Sequence, residues 1–321
     1  MFLPNYRYIP SITEALAETE RLRGLIARLT PTPQQIERLR RTAREQRAEA
    51  AATLDGRPKH EAVCKGYGFT LEQIGGGWPA DRDTAALPVI AGLNFFLTHD
   101  PSRHGPPPGL RRTPADIPDY RGGLGIAPGL PPDEVRPAML ELVGWLQSAR
   151  SAVAPVIRAG IAYRRLMQIW PQQEANAATS CAYCALLLHR ADLLPHGLPA
   201  FEAGFVADAD RYYAALFSGP DSTSWLDYFM GTLWAGLRSA YSAVAAMQTA
   251  APPVVRLNPR QKRIVEILAA PGASLGNEEC RQLFGISPVT AARDFRELVE
   301  LGMVEMQGHG RATFYVSRDS A

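Results

Sequence analysis

Proline and glycine crowd residues 98–137, and this density is the strongest constraint that the sequence places on the fold. Proline lacks a backbone N–H and fixes its own φ angle, and glycine weakens regular structure, so long helices and strands are excluded there. A long irregular stretch inside a compact domain is usually functional or disordered. We therefore expect this segment to be the special part of an otherwise regular chain.

Helical patterns flank the segment on both sides. Residues 11–51 carry apolar side chains at helical spacing, interrupted at Pro31 and Pro33. Further along the chain, helices are predicted over residues 139–149, 153–169, 180–191, 205–216 and 224–247. The sequence thus predicts a mainly α-helical protein.

A change of pattern at residues 249–256 marks a domain boundary. Residues 257–321 predict three helices and a two-stranded hairpin, with Asn258 and Ser287 placed as N-caps and Gly302 ending the third helix. This order matches a winged helix-turn-helix, whose third helix enters the major groove of DNA and whose hairpin is the wing.

The predicted third helix directs Thr290, Arg293 and Arg296 outward, and Arg311 lies at the tip of the wing. Arginine can read guanine or hold a phosphate, so these four residues are the candidate DNA contacts. Residues 257–321 nevertheless contain eight basic and eight acidic residues. This balance keeps open the alternative that the module contacts proteins.

Composition limits the remaining classes of function. The 321 residues carry a net charge of +2, so a nucleic-acid site must be a local patch. No apolar stretch is long enough to span a bilayer, and no signal peptide is visible at the N-terminus, so we expect a cytoplasmic protein without a membrane partner.

Four cysteines are too few for a disulfide framework in a chain of this length. Cys181 and Cys184 form a CxxC pair with His189 and His196 nearby, which leaves a zinc or redox site open. On a helix His189 points away from the two thiols, and packing of two small core residues is the simpler interpretation.

The C-terminal sequence LNPRQKRIVEIL, with NEECRQLFGISPVTAARDFRELVELGMVE and GHGRATFYV, resembles the winged helix found in many Fic-domain proteins. Upstream, Tyr212-Tyr213 and Trp225 resemble positions that follow the Fic signature. Residues 109–130 resemble the Fic flap, a hairpin that docks a target segment as an added strand. The resemblance implies an N-terminal region over residues 1–60, a Fic-like helical core over 61–248 and the winged helix over 257–321.

The Fic signature, HPFx(D/E)GNGRxxR, serves to transfer AMP from ATP to a target hydroxyl with the help of Mg²⁺. The aligned segment here is WPQQEANAATSC, residues 170–181. The catalytic histidine is replaced by Trp170, and the two arginines by Ala178 and Cys181. Glu174 and Asn176 are retained.

These replacements remove the chemistry of AMP transfer. The indole of Trp170 has no basic nitrogen to accept a proton, and Ala178 and Cys181 cannot hold phosphate oxygens. Ala175 and Ala177 stand in place of glycines, and we expect their Cβ atoms to deny this loop a positive φ. We therefore expect no cofactor, unless residual ATP or Mg²⁺ binding survives.

For that residual binding, Glu174 is the candidate metal ligand and Asn176 the candidate nucleotide contact; the alternatives are a solvated acid and a helix-capping amide. Asp55 stands where many Fic proteins place an inhibitory glutamate that pairs with the second arginine of the signature. Because that arginine is Cys181 here, both members of the pair are predicted to have changed together.

Three hypotheses about function follow from the sequence. The first is a pseudo-enzyme that regulates transcription as a DNA-binding homodimer. The second is an enzyme in which the altered cleft, with Glu174 or a cysteine, catalyses a different transfer or condensation. The third is a protein-interaction module whose flap captures a peptide strand.

Overall fold

A computed structural model describes residues 2–77, 83–98, 109–122, 125–249, 257–270, 272–308 and 313–317. Helices dominate these residues, which confirms the predicted mainly α-helical class. The chain divides into two compact units, Met1–Thr249 and Ala250–Ala321. None of the described helices is both long and apolar enough to cross a membrane.

The described part of the first unit contains ten α-helices, one short 3-10 helix over Pro195–Gly197 and one two-stranded antiparallel hairpin. The helices are α1 (Pro10–Ala27), α2 (Pro33–Leu54), α3 (Glu61–Gly75), α4 (Leu87–Thr98), α5 (Pro132–Ser148), α6 (Pro155–Ile169), α7 (Asn176–Arg190), α8 (Phe201–Ala207), α9 (Ala209–Leu216) and α10 (Thr223–Thr249). The hairpin joins β1 (Asp116–Pro118) to β2 (Gly125–Pro128), inside the segment expected to be irregular.

Three predicted helix starts were too late, and one of them, residue 205, lies four residues after α8 begins at Phe201. Helix α5 begins at Pro132, seven residues before residue 139, because a proline is well tolerated in the first helical turn. Pro137 lies inside α5 and removes only one helix hydrogen bond. Helix α7 begins at Asn176 and not at residue 180, since groups outside the helix bind its first N–H groups.

The single helix predicted over residues 205–216 is two helices. Asp208 has an extended backbone, which ends α8, and its side chain accepts a hydrogen bond from the N–H of Arg211 as the N-cap of α9. The division lets Phe205 and Tyr212 stack with their ring centroids 5.4 Å apart.

Helix α7 lies at the centre of the first unit and packs against α2, α3, α4 and α6. Alanine, serine and cysteine make up much of its buried surface, so neighbouring helices can approach closely. Tyr163 of α6 stacks on Trp225 of α10 with centroids 5.3 Å apart, and the Trp225 indole N–H donates to the carbonyl of Gly160. The core therefore combines a small-residue helix with an aromatic cluster.

A buried ion pair links α2 to α8. Arg47 is 2% exposed and donates from Nε and Nη2 to the carboxylate of Glu202, which is fully buried, at 2.7–3.0 Å. The hydroxyl of Tyr67 on α3 donates to the same carboxylate at 2.7 Å. Three helices thus meet at one charged group in the core.

The second unit is a winged helix. It contains α11 (Pro259–Leu268), β3 (Ser274–Gly276), α12 (Asn277–Phe284), α13 (Pro288–Glu300), β4 (Val304–Gln307) and β5 (Phe314–Ser317). The strands form one antiparallel sheet in the order β3-β5-β4, so the predicted two-stranded hairpin has a third strand. Phe295 stacks on Tyr315 with centroids 3.9 Å apart, which fixes α13 against the sheet.

We predict that Glu202→Gln lowers the free energy of unfolding by about 3–5 kcal/mol, because it leaves the Arg47 guanidinium buried without a counter-charge. Denaturant unfolding of the full chain measures the change. Glu18→Gln breaks the exposed pair with Arg21 and serves as the control, with a much smaller effect. Equal effects of the two substitutions would contradict the prediction.

Candidate functional site

The altered signature forms a tight loop between α6 and α7. Two residues in it have a left-handed backbone: Trp170, which ends α6 with φ +51°, and Ala175, which precedes α7 with φ +55°. Both side chains are buried, at 7% and 6% exposure. The expectation that alanine excludes a positive φ was therefore wrong for Ala175, because contacts around the loop outweigh a local cost of about 1–2 kcal/mol.

Asn176 holds this loop closed. Its Oδ1 accepts from the N–H of Gln172 at 2.6 Å, and its Nδ2 donates to the carbonyl of the same residue at 2.9 Å. The side chain is 2% exposed, so both ends of the amide bind the loop's own backbone. This geometry favours the structural interpretation of Asn176 over the nucleotide contact.

Glu174 points out of the same loop. Its carboxylate lies 3.1 Å from the guanidinium of Arg57 and is about half exposed. Its backbone carbonyl accepts from Nδ2 of Asn94, a fully buried residue of α4 that also donates to Thr179 Oγ1 at 2.9 Å. The loop position of Glu174 is therefore fixed, while its acid group is partly solvated and paired with a cation.

Asp55, at the end of α2, occupies the N-terminus of α7. Its two carboxylate oxygens accept hydrogen bonds from the backbone N–H groups of Ala177 and Ala178 at 2.8 and 2.9 Å. A helix N-terminus attracts negative charge. Asp55, which aligns with the inhibitory glutamate, thus binds the α7 backbone. The sequence did not identify this partner, because the arginine that pairs with the glutamate is replaced by Cys181 here.

Burial raises the pKa of Asp55 to about 6 from its ordinary 3.8, although the two backbone N–H groups and Arg57 act in the opposite direction. Near neutral pH the carboxylate is charged and fills the anion-binding end of the helix.

Arg111, a residue not predicted from the sequence to have a role, binds the flap to this loop. The residue is 2% exposed, and its guanidinium donates to the carbonyls of Trp170 at 2.6 Å, Thr113 at 2.9 Å and Ile169 at 3.2 Å, and to that of Leu130. Burial lowers the pKa of the guanidinium. One buried cation therefore joins three backbone segments, around residues 111–113, 130 and 169–170, and no carboxylate of the described residues bonds to it.

The start of the flap runs along the altered loop. Leu110 and Gln172 form an antiparallel bridge, and the N–H of Arg111 donates to the carbonyl of Pro171 at 2.9 Å. At the other end, the hydroxyl of Tyr213 donates to the carbonyl of Pro118 and accepts from the N–H of Tyr120. The described part of residues 109–130 is thus a fixed hairpin.

These residues do not fit ATP and Mg²⁺. The N–H groups of Ala177 and Ala178 already bind Asp55, and Asn176 is engaged with the loop. Glu174 is one carboxylate next to a cation, which is a poor Mg²⁺ ligand set. Within the described ranges, no three His, Cys, Asp or Glu side chains are grouped to hold a metal ion.

Cys181 and Cys184 lie in the core of α7, both fully buried. Burial, with Glu202 nearby, raises the pKa of each thiol well above its ordinary value. Neutral, enclosed thiols are poor nucleophiles and poor metal ligands. The geometry favours the packing interpretation of the CxxC pair.

The second unit presents part of the predicted DNA face. Arg293 and Arg296 are exposed on α13, opposite Ala291, Phe295 and Leu298 in the core. Thr290 is half-buried, and its hydroxyl is 2.9 Å from that of Ser287, the N-cap. Arg311 lies outside the described residues, so only three of the four predicted contacts have a position.

A buried acid, not predicted from the sequence, connects α11 to α13. Asp294 is fully buried and accepts from Nε of Arg260 at 2.9 Å and from the amide of Asn258 at 3.2 Å. Gln261 donates to Glu297 at 2.5 Å beside them. Arg260 is therefore engaged within the unit. The position of Asp294 on the core face of an amphipathic helix was the sequence signal that could have revealed the Arg260–Asp294 pair.

Comparisons with known proteins give a family match for the second unit and similar folds for the chain. Residues 260–318 match the family model described as the DeoR-like helix-turn-helix domain. The chain is similar in fold to a Fic family protein from Desulfovibrio desulfuricans G20, with a TM-score of 0.62, 19% identity, and coverage of 100% of this chain and 99% of that one. A fragment of Fic-1 from C. elegans gives a TM-score of 0.54 and 17% identity over 75% of this chain and 74% of that one.

The chain thus has a Fic fold with a helix-turn-helix domain at its C-terminus. More particularly, the C-terminal domain is of the DeoR-like type. No curated protein sequence matches the chain significantly.

We predict that, as the pH rises, the free energy of unfolding of the wild type falls relative to that of Asp55→Asn. Between pH 3.8 and about 6 the folded carboxyl holds a proton that the unfolded chain has released, so its stabilising contribution is present below this window and is lost as pH rises through about 6. Denaturant unfolding at pH 4, 5.5 and 7 measures the difference. Asp208→Asn, at an exposed N-cap, is the control for losing one carboxylate. A constant difference between wild type and Asp55→Asn would contradict the prediction.

Proposed function

We propose that this protein is a pseudo-enzyme of the Fic type that regulates transcription by binding DNA through its winged helix. The observation that carries the proposal is the DeoR-like helix-turn-helix match over residues 260–318, with two exposed arginines on α13. Helices at this position enter the major groove in winged-helix proteins. Chromosomal DNA as the partner agrees with a cytoplasmic location.

The exposed face of α13 has the chemistry for reading bases. Arg296 is exposed, and within the part of the chain that the structure describes Arg293 has one long contact, 3.9 Å, with Glu297 on the next turn. Both guanidiniums are therefore available for guanine or phosphate. Val289 is 78% exposed at the start of the helix, where an apolar side chain suits a thymine methyl group.

The charge balance of residues 257–321 implies few phosphate contacts for each copy. A homodimer would double these contacts and read two half-sites. We therefore propose that the protein binds DNA as a homodimer. We also expect its affinity for DNA to depend only weakly on salt concentration.

Loss of AMP transfer is the second part of the proposal. It is supported by the absence of a base at Trp170 and of cations at Ala178 and Cys181. The Asp55 carboxylate adds a physical reason, because it lies at the helix terminus where a phosphate would have to bind. A second negative group at the same N–H donors would be repelled.

One alternative is an enzyme in which Glu174 or a cysteine catalyses another transfer or condensation. Only the exposed carboxylate of Glu174 supports this alternative.

Capture of a peptide by the flap is a further alternative. It is supported by the β1–β2 hairpin, which has two strands in the described residues and so an edge for a third. Either would add to a DNA-binding function without replacing it.

We predict that the full chain, incubated with ATP labelled at the α-phosphate, Mg²⁺ and a cell extract, labels no protein above the level seen with Glu174→Ala. Trp170→His restores a base but no phosphate contact, so it should not restore labelling either. Autoradiography after electrophoresis measures transfer. Labelling by the wild type that depends on Glu174 would overturn the pseudo-enzyme part of the proposal.

For DNA binding, we predict that Arg293→Ala with Arg296→Ala weakens binding to a preferred duplex by roughly tenfold to a hundredfold or more and relaxes sequence preference. The duplex is the one that the full chain enriches from a random pool, and binding is measured by anisotropy over a salt series. Lys262→Ala with Arg263→Ala removes the same charge from the exposed face of α11 and is the control. No enrichment, or equal losses in both double variants, would overturn the assignment of the DNA face.

A further inference from the structure

The two exposed arginines of α13 have different surroundings. Arg293 and Arg296 both lie on the face of the helix opposite the core of the second unit. Because an α-helix turns by about 100° per residue, Arg293 lies between Arg296 on one side and Glu297 on the other. The two guanidiniums therefore approach different neighbouring elements.

Glu297 is held in place from α11. Gln261 is 3% exposed, and its Nε2 donates to Oε2 of Glu297 at 2.5 Å. Its Oε1 accepts from the backbone N–H of Asn258 at 3.0 Å, so the amide cannot turn over without losing both bonds. A buried side chain therefore fixes one oxygen of a carboxylate that is itself about half exposed.

The other oxygen of Glu297 faces Arg293. Its Oε1 lies 3.9 Å from Nε of Arg293, a distance at which the two charges attract although no hydrogen bond forms. Guanine presents two acceptors, O6 and N7, and a bidentate contact requires the guanidinium to lie in one orientation. A fixed carboxylate on the Nε side restricts that orientation and leaves the Nη groups of Arg293 for a base.

A carboxylate at this position is unfavourable for affinity alone. DNA is a polyanion, so an exposed acid next to the recognition face weakens binding to every sequence. Glu297 is on the turn after Arg293 and is not needed as a counter-charge for a buried group, since both side chains are largely exposed. A role in orienting Arg293 gives a reason for an acid here.

Arg296 has no such restraint. It follows Phe295, whose ring stacks on Tyr315 of β5 with centroids 3.9 Å apart. Burial raises the pKa of Tyr315, and the charge of Arg296 acts in the opposite direction, so the guanidinium is on the side of the hairpin. Within the described ranges, no acid forms an ion pair with Arg296. A cation that can take several orientations suits a phosphate, whose contacts fix position but carry no sequence information.

We propose that Arg293 reads a guanine in the major groove, that Glu297 is the residue that positions it, and that Arg296 binds a backbone phosphate. This inference rests on the proposed DNA-binding function and adds which residue sets the sequence preference. Because Gln261 holds Glu297, the guanine contact depends on the packing of α11 against α13.

The test begins with the duplex that the full chain enriches from a random pool, in which each base pair is then changed in turn. Anisotropy over a salt series measures the affinity for each duplex. At one G·C pair or more, loss of the guanine should weaken binding by the wild type about fivefold to a hundredfold. Substitution of that guanine by 7-deazaguanine, which lacks the N7 acceptor, should weaken it as well. Arg293→Ala should lose both effects.

Arg296→Ala should behave differently. It should weaken binding to all duplexes alike, lower the slope of log affinity against log salt by about one, and retain the guanine preference. Loss of the preference in Arg296→Ala, with retention in Arg293→Ala, would overturn the assignment of the two roles.

Glu297→Gln and Glu300→Gln are a matched pair, because each removes one exposed negative charge from α13. Both should tighten binding to a duplex of random sequence. Only Glu297→Gln should also lose most of the guanine preference. Gln261→Ala keeps the charge of Glu297 but releases its carboxylate, and it should lose the preference too; thermal unfolding checks that this variant is folded at the temperature of the binding experiment.

A guanine preference that survives in Glu297→Gln, or in folded Gln261→Ala, would overturn the positioning role and leave DNA binding intact. An equal loss of preference in Glu300→Gln would also overturn it, since the effect would then come from charge alone. If the full chain enriches no duplex, the proposed function fails, and this inference fails with it.

Discussion

The enclosure of α7 by other helices is the constraint on which the rest of the first unit depends. The first N–H groups of any helix lack partners within the helix, and in an enclosed helix water cannot supply them. Asp55 accepts from two of these groups, at Ala177 and Ala178. The end of α2 must therefore lie against the start of α7, and the small residues of α7 allow α6 and α3 to close around it.

The same requirement explains why the loop before α7 is so heavily bonded. Asn176 closes it from within, Asn94 holds the carbonyl of Glu174, and Arg111 holds the carbonyl of Trp170. Each of these three side chains is buried and binds backbone, so most of their hydrogen bonds hold the fold. Among the described residues, Oδ1 of Asn94 and Oε1 of Gln172 are buried at this loop without a hydrogen-bond partner.

The sequence was sufficient for the features that repeat locally, and insufficient for those that depend on distant partners. Helical spacing and capping residues revealed most helices, and family resemblance located the flap and Asp55. Arg47–Glu202, Arg111 and Asp294 were not foreseen, because a charged residue in a helical pattern is usually solvated and only tertiary contact identifies the buried ones. Ala175 was misjudged for a related reason: backbone preference is a local energy of about 1–2 kcal/mol, and several loop contacts together exceed it.

The buried guanidinium of Arg111 also has a consequence for how the flap can move. It binds carbonyls at the end of α6, near the start of the flap and beyond its second strand, so these segments share one set of hydrogen bonds. A charge cannot be left half solvated in the interior, and the segments must therefore separate together or not at all. In hydrogen exchange they would behave as a single cooperative opening unit. The flap of this protein is accordingly a structural wall of the first unit, and a partner strand would have to add to its outer edge while the wall stays in place.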